Sequence, residues 1–315
     1  MPRASTSSPL LLVLLGPTGV GKTELSIRLA QRLSTCILSA DSRQIYRELP
    51  IGTAAPSLEE RAAVPHYFVG TRSIHDYYSA ADYEREALET LAELFQEQSV
   101  VLVSGGSMMY VDALCRGLDA VPSVPEELRR AVWQRYEAEG LEGIRQELEL
   151  VDPDYLSQVD PANYKRLLHA WEVYLATGRP FSSYHRGEPK QRPFRILRVG
   201  LQRPRPELYA RIDRRVELML EAGLEAEARA VYPYRELNAL NTVGYKELFA
   251  YFDGTIDRAE AIRLIQRNSR HYARKQLSWW QRDPSIHWLD ASAPDLLETV
   301  LALVETPIAP LGLGR

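Results

Sequence analysis

Residues 10–23 read LLLVLLGPTGVGKT, an apolar strand that breaks into a glycine-rich loop ending in Lys-Thr. The loop fits G-x-x-x-x-G-K-[ST], with Gly16, Gly21, Lys22 and Thr23 at the fixed positions and Pro17, Thr18, Gly19 and Val20 between them. Small residues let successive backbone N–H groups turn inward on an anion, and Lys22 adds a mobile positive charge. Thr23 can place its hydroxyl on Mg²⁺, directly or partly through water, and the helix that follows contributes the positive end of its dipole. Leu25, Leu29 and Leu33 recur at helical spacing after the loop, so the strand–loop–helix context is present. The stretch therefore predicts a phosphate or diphosphate site. It does not say which molecule carries the phosphate.

Working outward, residues 35–39 and 100–103 read as further short apolar strands, with helical text between strands and over 83–98. This alternation predicts an α/β fold with a P-loop-containing parallel sheet core flanked by helices. From 119 to 192 the chain turns to Pro-punctuated helical text, and 192–202 returns to strand character. The expected division is a core of 1–118 and 193–315 interrupted by a mostly helical insertion, 119–192. The C-terminal part of the core also reads as mostly helical, and the Pro- and Gly-containing tail 307–315 is expected to be disordered.

The 315 residues carry 45% hydrophobic and 25% charged residues, as in an ordinary globular protein. Cys36 and Cys115 have no metal-like spacing and suggest a reducing compartment. The polar opening is followed by a short apolar run that leads straight into the loop without a cleavage site, so it is expected to be strand one of a cytoplasmic protein. No apolar run reaches the roughly 18 residues that span a membrane. The net charge of −4 hides an asymmetry: residues 179–215 hold ten Arg and one Lys against three acids, and 258–282 hold six Arg and one Lys against one. Such segments fit a polyanionic partner, or else solvated faces.

A P-loop NTPase holds Mg²⁺ partly through an acid ending a second strand. Here the strand 100–103 runs into Ser104-Gly105-Gly106-Ser107, without an acid, and no Asn-Lys-x-Asp guanine reader is present. The second strand instead leads to Asp41, which should lie beside the loop beyond the carboxyl ends of the strands. A carboxylate there can take a proton from a nucleophile or hold Mg²⁺ through water; its alternative is a helix N-cap. The 52–56 stretch reads as a plain turn. Ser107 offers a hydroxyl at the same sheet edge. In 262–280, Arg263, Arg267, Arg270 and Arg274 form one helical stripe, suited to a nucleic-acid backbone. Ile265, Tyr272, Gln276 and Trp279 form another, read as core or as a base-stacking platform.

Together these residues resemble the tRNA dimethylallyltransferases (tRNA isopentenyltransferases), of the bacterial type. The resemblance is carried by GPTGVGKT (16–23), DSRQIY (41–46), GTAAP (52–56), VPHY (64–67), YSAADY (78–83) and SGGSMMY (104–110). It continues through NYKRLLHAWEVYLATGRP (163–180), GYKEL (244–248) and SRHYARKQLSWWQR (269–282), in family order over nearly the whole chain. It implies prenyl transfer from dimethylallyl diphosphate to N6 of the adenosine just 3′ of the anticodon, by a monomer whose helical insertion clasps the anticodon stem-loop. In this family the loop grips the leaving diphosphate rather than ATP. By the same resemblance Asp41 takes the N6 proton and Ser107 lies near that amine. Lys22, Thr23 with Mg²⁺, and Arg215 neutralise the leaving group. The adenine leaves its stack to react. Segments aligned with tRNA contacts are Asp41, Ser42, Arg43 and Gln44; Ala162, Asn163, Tyr164, Lys165 and Arg166; Thr242, Val243, Gly244, Tyr245 and Lys246; and Arg270, Arg274, Lys275, Gln276, Trp279 and Arg282. The chain departs from the family pattern in GGSMM for the usual GGTGL, in Arg43, and after VPH. Rival readings are an adenylate isopentenyltransferase acting on free AMP, ADP or ATP, and a P-loop kinase or NTPase.

Overall fold

The computed structural model describes residues 8–185 and 189–306; the tail 307–315 and Arg186 and Glu188 of the first basic segment lie outside the described residues. Six parallel strands, β1 (Leu10–Leu15), β2 (Ile37–Ser39), β3 (His66–Tyr67), β4 (Val100–Gly105), β5 (Arg195–Gln202) and β6 (Ile286–Asp290), form one sheet in the order β3-β2-β4-β1-β5-β6. Central β1 explains its own composition. Leu11, Val13 and Leu15 pack into one core cluster and Leu10, Leu12 and Leu14 into another, all at most 1% exposed, so both faces are covered and no polar alternation survives. Each such side chain contributes roughly 1.5–3 kcal/mol on burial.

The register aligns the carboxyl ends of the strands. Leu15 pairs with Gly105 on one side and Gly200 on the other, and Ser39 pairs with Ser104. The loops after β1, β2 and β4 therefore leave the sheet at one level. Sequence reading located β1, β2, β4 and β5. It did not find β3, which is two residues long, or edge strand β6. The helix expected over 83–98 runs Ala80–Leu94, because Ser79 and Asp82 form a reciprocal capping box.

Two compact units separate by their contacts, one of residues up to Cys115 and from Gln191 onward, the other of 116–190. The second unit is helical. Helices Glu126–Glu139, Glu142–Val151 and Tyr164–Thr177 pack around Ile144, Leu148, Leu167, Leu168 and Trp171. Buried Asp152 accepts from the backbone N–H groups of Tyr155 and Ser182, fastening two turns of that unit.

Candidate active site

The glycine loop forms as its sequence dictates. Gly16 has φ +152°, and a Cβ there would lie 2.8 Å from the Leu201 carbonyl oxygen, so the close strand-to-strand approach requires glycine. The helix Lys22–Leu33 starts at Gly21, which is left-handed. Lys22 Nζ folds back to donate to the carbonyls of Gly16 at 2.8 Å and Pro17 at 2.9 Å. Burial pulls its pKa down to about 7, the Arg215 charge pushes the same way, and Asp41 opposes both. Arg215, on helix Arg205–Glu221, donates to the Thr18 hydroxyl at 3.2 Å. Burial lowers its pKa too, again opposed by Asp41. Arg211, one turn earlier, donates to the Gly19 carbonyl at 2.9 Å. Thr23 is exposed on the first turn of its helix.

Asp41 stands in a turn and caps no helix. Its Oδ1 accepts from the backbone N–H groups of Arg43 at 2.9 Å and Gln44 at 3.3 Å, a local Asx turn. Its Oδ2 has no hydrogen-bond partner among the described residues. The β2 and β4 loops are locked together, with Ala40 N–H on the Ser104 carbonyl at 2.9 Å and Ser107 N–H on the Ala40 carbonyl at 3.0 Å. Gly105 permits this, since a Cβ would lie 2.2 Å from the Ala40 oxygen.

These groups border one cleft of about 1220 Å³, lined among others by Lys22, Thr23, Asp41, Gly106, Arg215 and Tyr272. The Tyr272 hydroxyl is pushed up to about 12, first by burial and then by the Asp41 charge, with Arg43 opposing. Tyr272 therefore stays a neutral O–H donor. Among the described residues no group of three His, Cys, Asp or Glu could hold a metal.

Several expected positions behave differently from their sequence reading. Ser107 is 7% exposed and is not among the residues that line the cleft; its backbone locks the loops, and the equally buried Gly105 and Gly106 border the cleft there. Met108, where the family pattern has glycine, opens helix Met108–Arg116 and packs on the core. Gln276 and Tyr245 are internal, not open to a polyanion. Gln276 joins the glycine loop to the β4 loop, and the Tyr245 hydroxyl donates to Glu227 at 2.6 Å. Glu227 also accepts from the backbone N–H groups of Ile51 and Gly52, both at 2.8 Å, so the 52–56 turn is anchored. No local sequence signal marked Glu227.

Trp279 donates its indole N–H to Asp112 at 2.7 Å, and Tyr164 stacks on Tyr136 with ring centroids 5.3 Å apart. In the arginine stripe, Arg270 pairs with Asp213 and Arg263 with Glu260, which neutralises half of it. Arg267 and Arg274 are exposed without an acidic partner among the described residues. Lys246 and Lys275 are exposed at the cleft. Thr242, Val243 and Gly244 line its rim, Gly244 being buried. Ser42, Arg43 and Gln44 are half-buried at the cleft. Arg43 donates to the Asn238 carbonyl at 3.0 Å, and Gln44 to those of Thr53 and Ala54. Arg282 is exposed away from the cleft lining. Ala162, Lys165 and Arg166 are exposed on the helical unit, where Asn163 caps helix Tyr164–Thr177.

Residues 44–283 match the family model described as IPP transferase. The chain is 62% identical over 299 residues to tRNA dimethylallyltransferase 2 of Porphyromonas gingivalis, covering 95% of this chain and 99% of that protein. It is 56% identical over 280 residues to tRNA dimethylallyltransferase 1 of Bacteroides thetaiotaomicron, covering 89% and 91%. Among solved structures it is similar to the full-length tRNA isopentenylpyrophosphate transferase of Bacillus halodurans, with TM-score 0.69, 30% identity, and 95% and 96% coverage. It is also similar to a eukaryotic dimethylallyltransferase acting on tRNA, with TM-score 0.80, 26% identity, and 94% and 78% coverage. With a family match across most of the chain and relatives aligned nearly end to end, the chain belongs to the IPP transferase family.

Proposed function

We propose that this enzyme transfers a dimethylallyl group from dimethylallyl diphosphate to N6 of the adenosine 3′-adjacent to the anticodon of tRNA, releasing diphosphate. The observation that carries the reading is the pairing, in one cleft, of a cationic glycine loop with a carboxylate oxygen that nothing else occupies. The relatives named tRNA dimethylallyltransferase support the choice of tRNA and donor. In the reaction the N6 lone pair forms a bond to C1 of the dimethylallyl group. The C1–oxygen bond breaks and its electron pair leaves with the diphosphate. The N6 proton passes to Asp41 Oδ2, while Oδ1 stays held by its turn. The loop amides, Lys22 and Arg215 meet the charge that develops on the leaving group, a kind of stabilisation commonly worth several kcal/mol.

Mg²⁺ keeps several waters and binds through substrate phosphates with few protein ligands. An exposed Thr23 hydroxyl, and Asp41 through water, fit an ion that arrives on the diphosphate, and that ion would neutralise part of its charge. Lys246 and Lys275 at the cleft, Arg267 and Arg274 exposed on helix Arg258–Trp280, and Lys165 and Arg166 on the helical unit are proposed to meet the RNA backbone. Every group named is carried by one chain, and a monomer is proposed as the working unit. No helix among the described residues is long and apolar enough to cross a membrane; the cytoplasm, where tRNA is met, is the proposed location.

The test uses purified protein, dimethylallyl diphosphate, Mg²⁺ and tRNA lacking N6-prenyladenosine, read by nucleoside mass analysis. Asp41→Asn keeps an acceptor for the turn and loses the base, so turnover should fall at least about 10²-fold with tRNA affinity unchanged. Prenylation of AMP but not tRNA, or ATP hydrolysis without prenylation, would replace this function with one of its rivals.

A further inference from the structure

We propose that Gln276 is a positioning residue that couples the RNA-facing helix Arg258–Trp280 to the diphosphate loop, so that filling the loop and gripping RNA strengthen each other. The inference rests on the function proposed above and concerns how its two substrates communicate.

The Gln276 side chain is 1% exposed and spans the two walls of the cleft floor. Its Oε1 accepts from the Thr18 backbone N–H at 2.9 Å, across 258 residues of chain. Its Nε2 donates to the Gly106 carbonyl at 2.7 Å. Of the natural side chains, a carboxamide of this length supplies the acceptor and the donor together; glutamate has no donor at neutral pH and leucine has neither. The fit is close on the Gly106 side, where a Cβ would stand 2.5 Å from Nε2. Tyr272, one turn earlier, brings its hydroxyl to 3.5 Å from the same carbonyl.

Thr18 is held from a second direction, since its hydroxyl accepts from Arg215. The residue that opens the anion cradle is thus tied to both cationic helices of the cleft. Beside Gln276 on the same helix stand Arg274 and Lys275, exposed and without an acidic partner among the described residues. RNA that shifts or orders this helix through those cations moves Thr18 N and Gly106 O with it, because the Gln276 side chain is buried and hydrogen-bonded at both ends. An anion that orders the loop fixes the helix in return, and the two effects must be equal in free energy. A buried amide with a merely structural role would weaken both ligands without linking them.

The experiment measures the Kd of an anticodon stem-loop RNA by fluorescence anisotropy, with and without saturating inorganic diphosphate and Mg²⁺. In the wild-type protein diphosphate should tighten RNA binding at least about fivefold, the lower edge of ordinary coupling. In Gln276→Leu the ratio should fall to within twofold of unity while each ligand still binds. Gln276→Glu keeps the acceptor for Thr18 but sets a carboxylate against the Gly106 carbonyl; it should lose the coupling as well, and it decides the matter if the leucine variant does not fold. A wild-type ratio near one, or an unchanged ratio in the folded variants, overturns the inference and leaves the proposed function standing. Wild-type protein that does not bind the RNA at all overturns both.

Discussion

Replacing Gly105 with alanine tests whether the site depends on the junction of the β2 and β4 loops. The added Cβ would stand 2.2 Å from the Ala40 carbonyl oxygen and 2.4 Å from its carbonyl carbon. Both are backbone atoms, so neither can swing away, and real Cβ atoms essentially never come within 3.0 Å of such neighbours. The two loops must part by most of an ångström. That lengthens the Ser107 N–H bond to Ala40 from 3.0 Å and the Ala40 N–H bond to Ser104 from 2.9 Å, past useful hydrogen-bond range. Two buried donors left unpaired cost about 1–3 kcal/mol each. Together that is about 2–6 kcal/mol, and at about 2–4 °C per kcal/mol Tm should fall by about 4–24 °C in a thermal unfolding scan. Asp41 follows Ala40 directly, so it moves with the displaced strand end. A shift of about 1 Å at a reacting group can cost about 10²-fold in rate. Prenylation of tRNA measured below the new Tm should therefore drop about 10²-fold, while RNA binding in the absence of donor, which rests on cations of other elements, stays within a few-fold. A Gly105→Ala protein that keeps both its Tm within 2 °C or so and its turnover would refute the claim that this contact positions Asp41.

Two further outcomes follow from the electrostatics. Lys22 has a pKa of about 7 in the free protein, below its ordinary 10.5, and a bound diphosphate favours the charged ammonium and raises it. Donor binding above pH 7 must then take up a proton, and affinity should weaken as pH rises by up to about tenfold per unit. Calorimetry at pH 8 in buffers of different ionisation enthalpy should show this uptake and show it lost in Lys22→Arg; equal uptake in both proteins would rule Lys22 out as its source. For the RNA, Arg274→Ala should reduce the slope of log K against log salt by about 0.7–0.9, whereas Arg270→Ala, whose guanidinium already pairs with Asp213, should change it much less. Equal changes would mean that the Asp213 pair opens on RNA.

The core was legible because its signals are local. Residues 10–23 contain strand, loop and helix start in succession. What escaped was set by distant partners. β6 is an edge strand of mixed burial, Ile286 inward and His287 exposed, so it carries neither a clean alternation nor an apolar run. Gln276 sits among arginines and reads as an RNA contact, but its partners are a loop amide 258 residues away and the Gly106 carbonyl, neither of which sequence spacing can show. The same holds for Arg270 and Asp213, or Tyr245 and Glu227, where a charged or hydroxyl group is absorbed by another element. In that turn the sequence offers the Ser107 hydroxyl, whereas the tight constraint falls on Gly105, through an approach visible only in three dimensions.

The missing acid on β4 gains a physical reason from this geometry. In a hydrolytic P-loop protein the strand beside β1 ends in a carboxylate that helps hold Mg²⁺. Here Ser104 stands at that end with its Oγ 2.7 Å from the Ser26 hydroxyl, on the helix that follows the loop, and Gly105 presses against Ala40. A longer acidic side chain at 104 would lose this contact and push on the loop helix, and one at 105 would collide with backbone. A cleft carboxylate instead follows the next strand out, β2: Asp41, with one oxygen tied in a turn and the other open. A carboxylate between the loop and β4 would hold the ion that assists attack of water on a phosphate. One beyond β2 borders the cleft shared with the loop, where in the proposed reaction the nucleophile would reach the carbon attached to the diphosphate and shed its proton. On the function proposed above, moving the acid by one strand would turn the same cradle from phosphoryl transfer toward displacement at carbon.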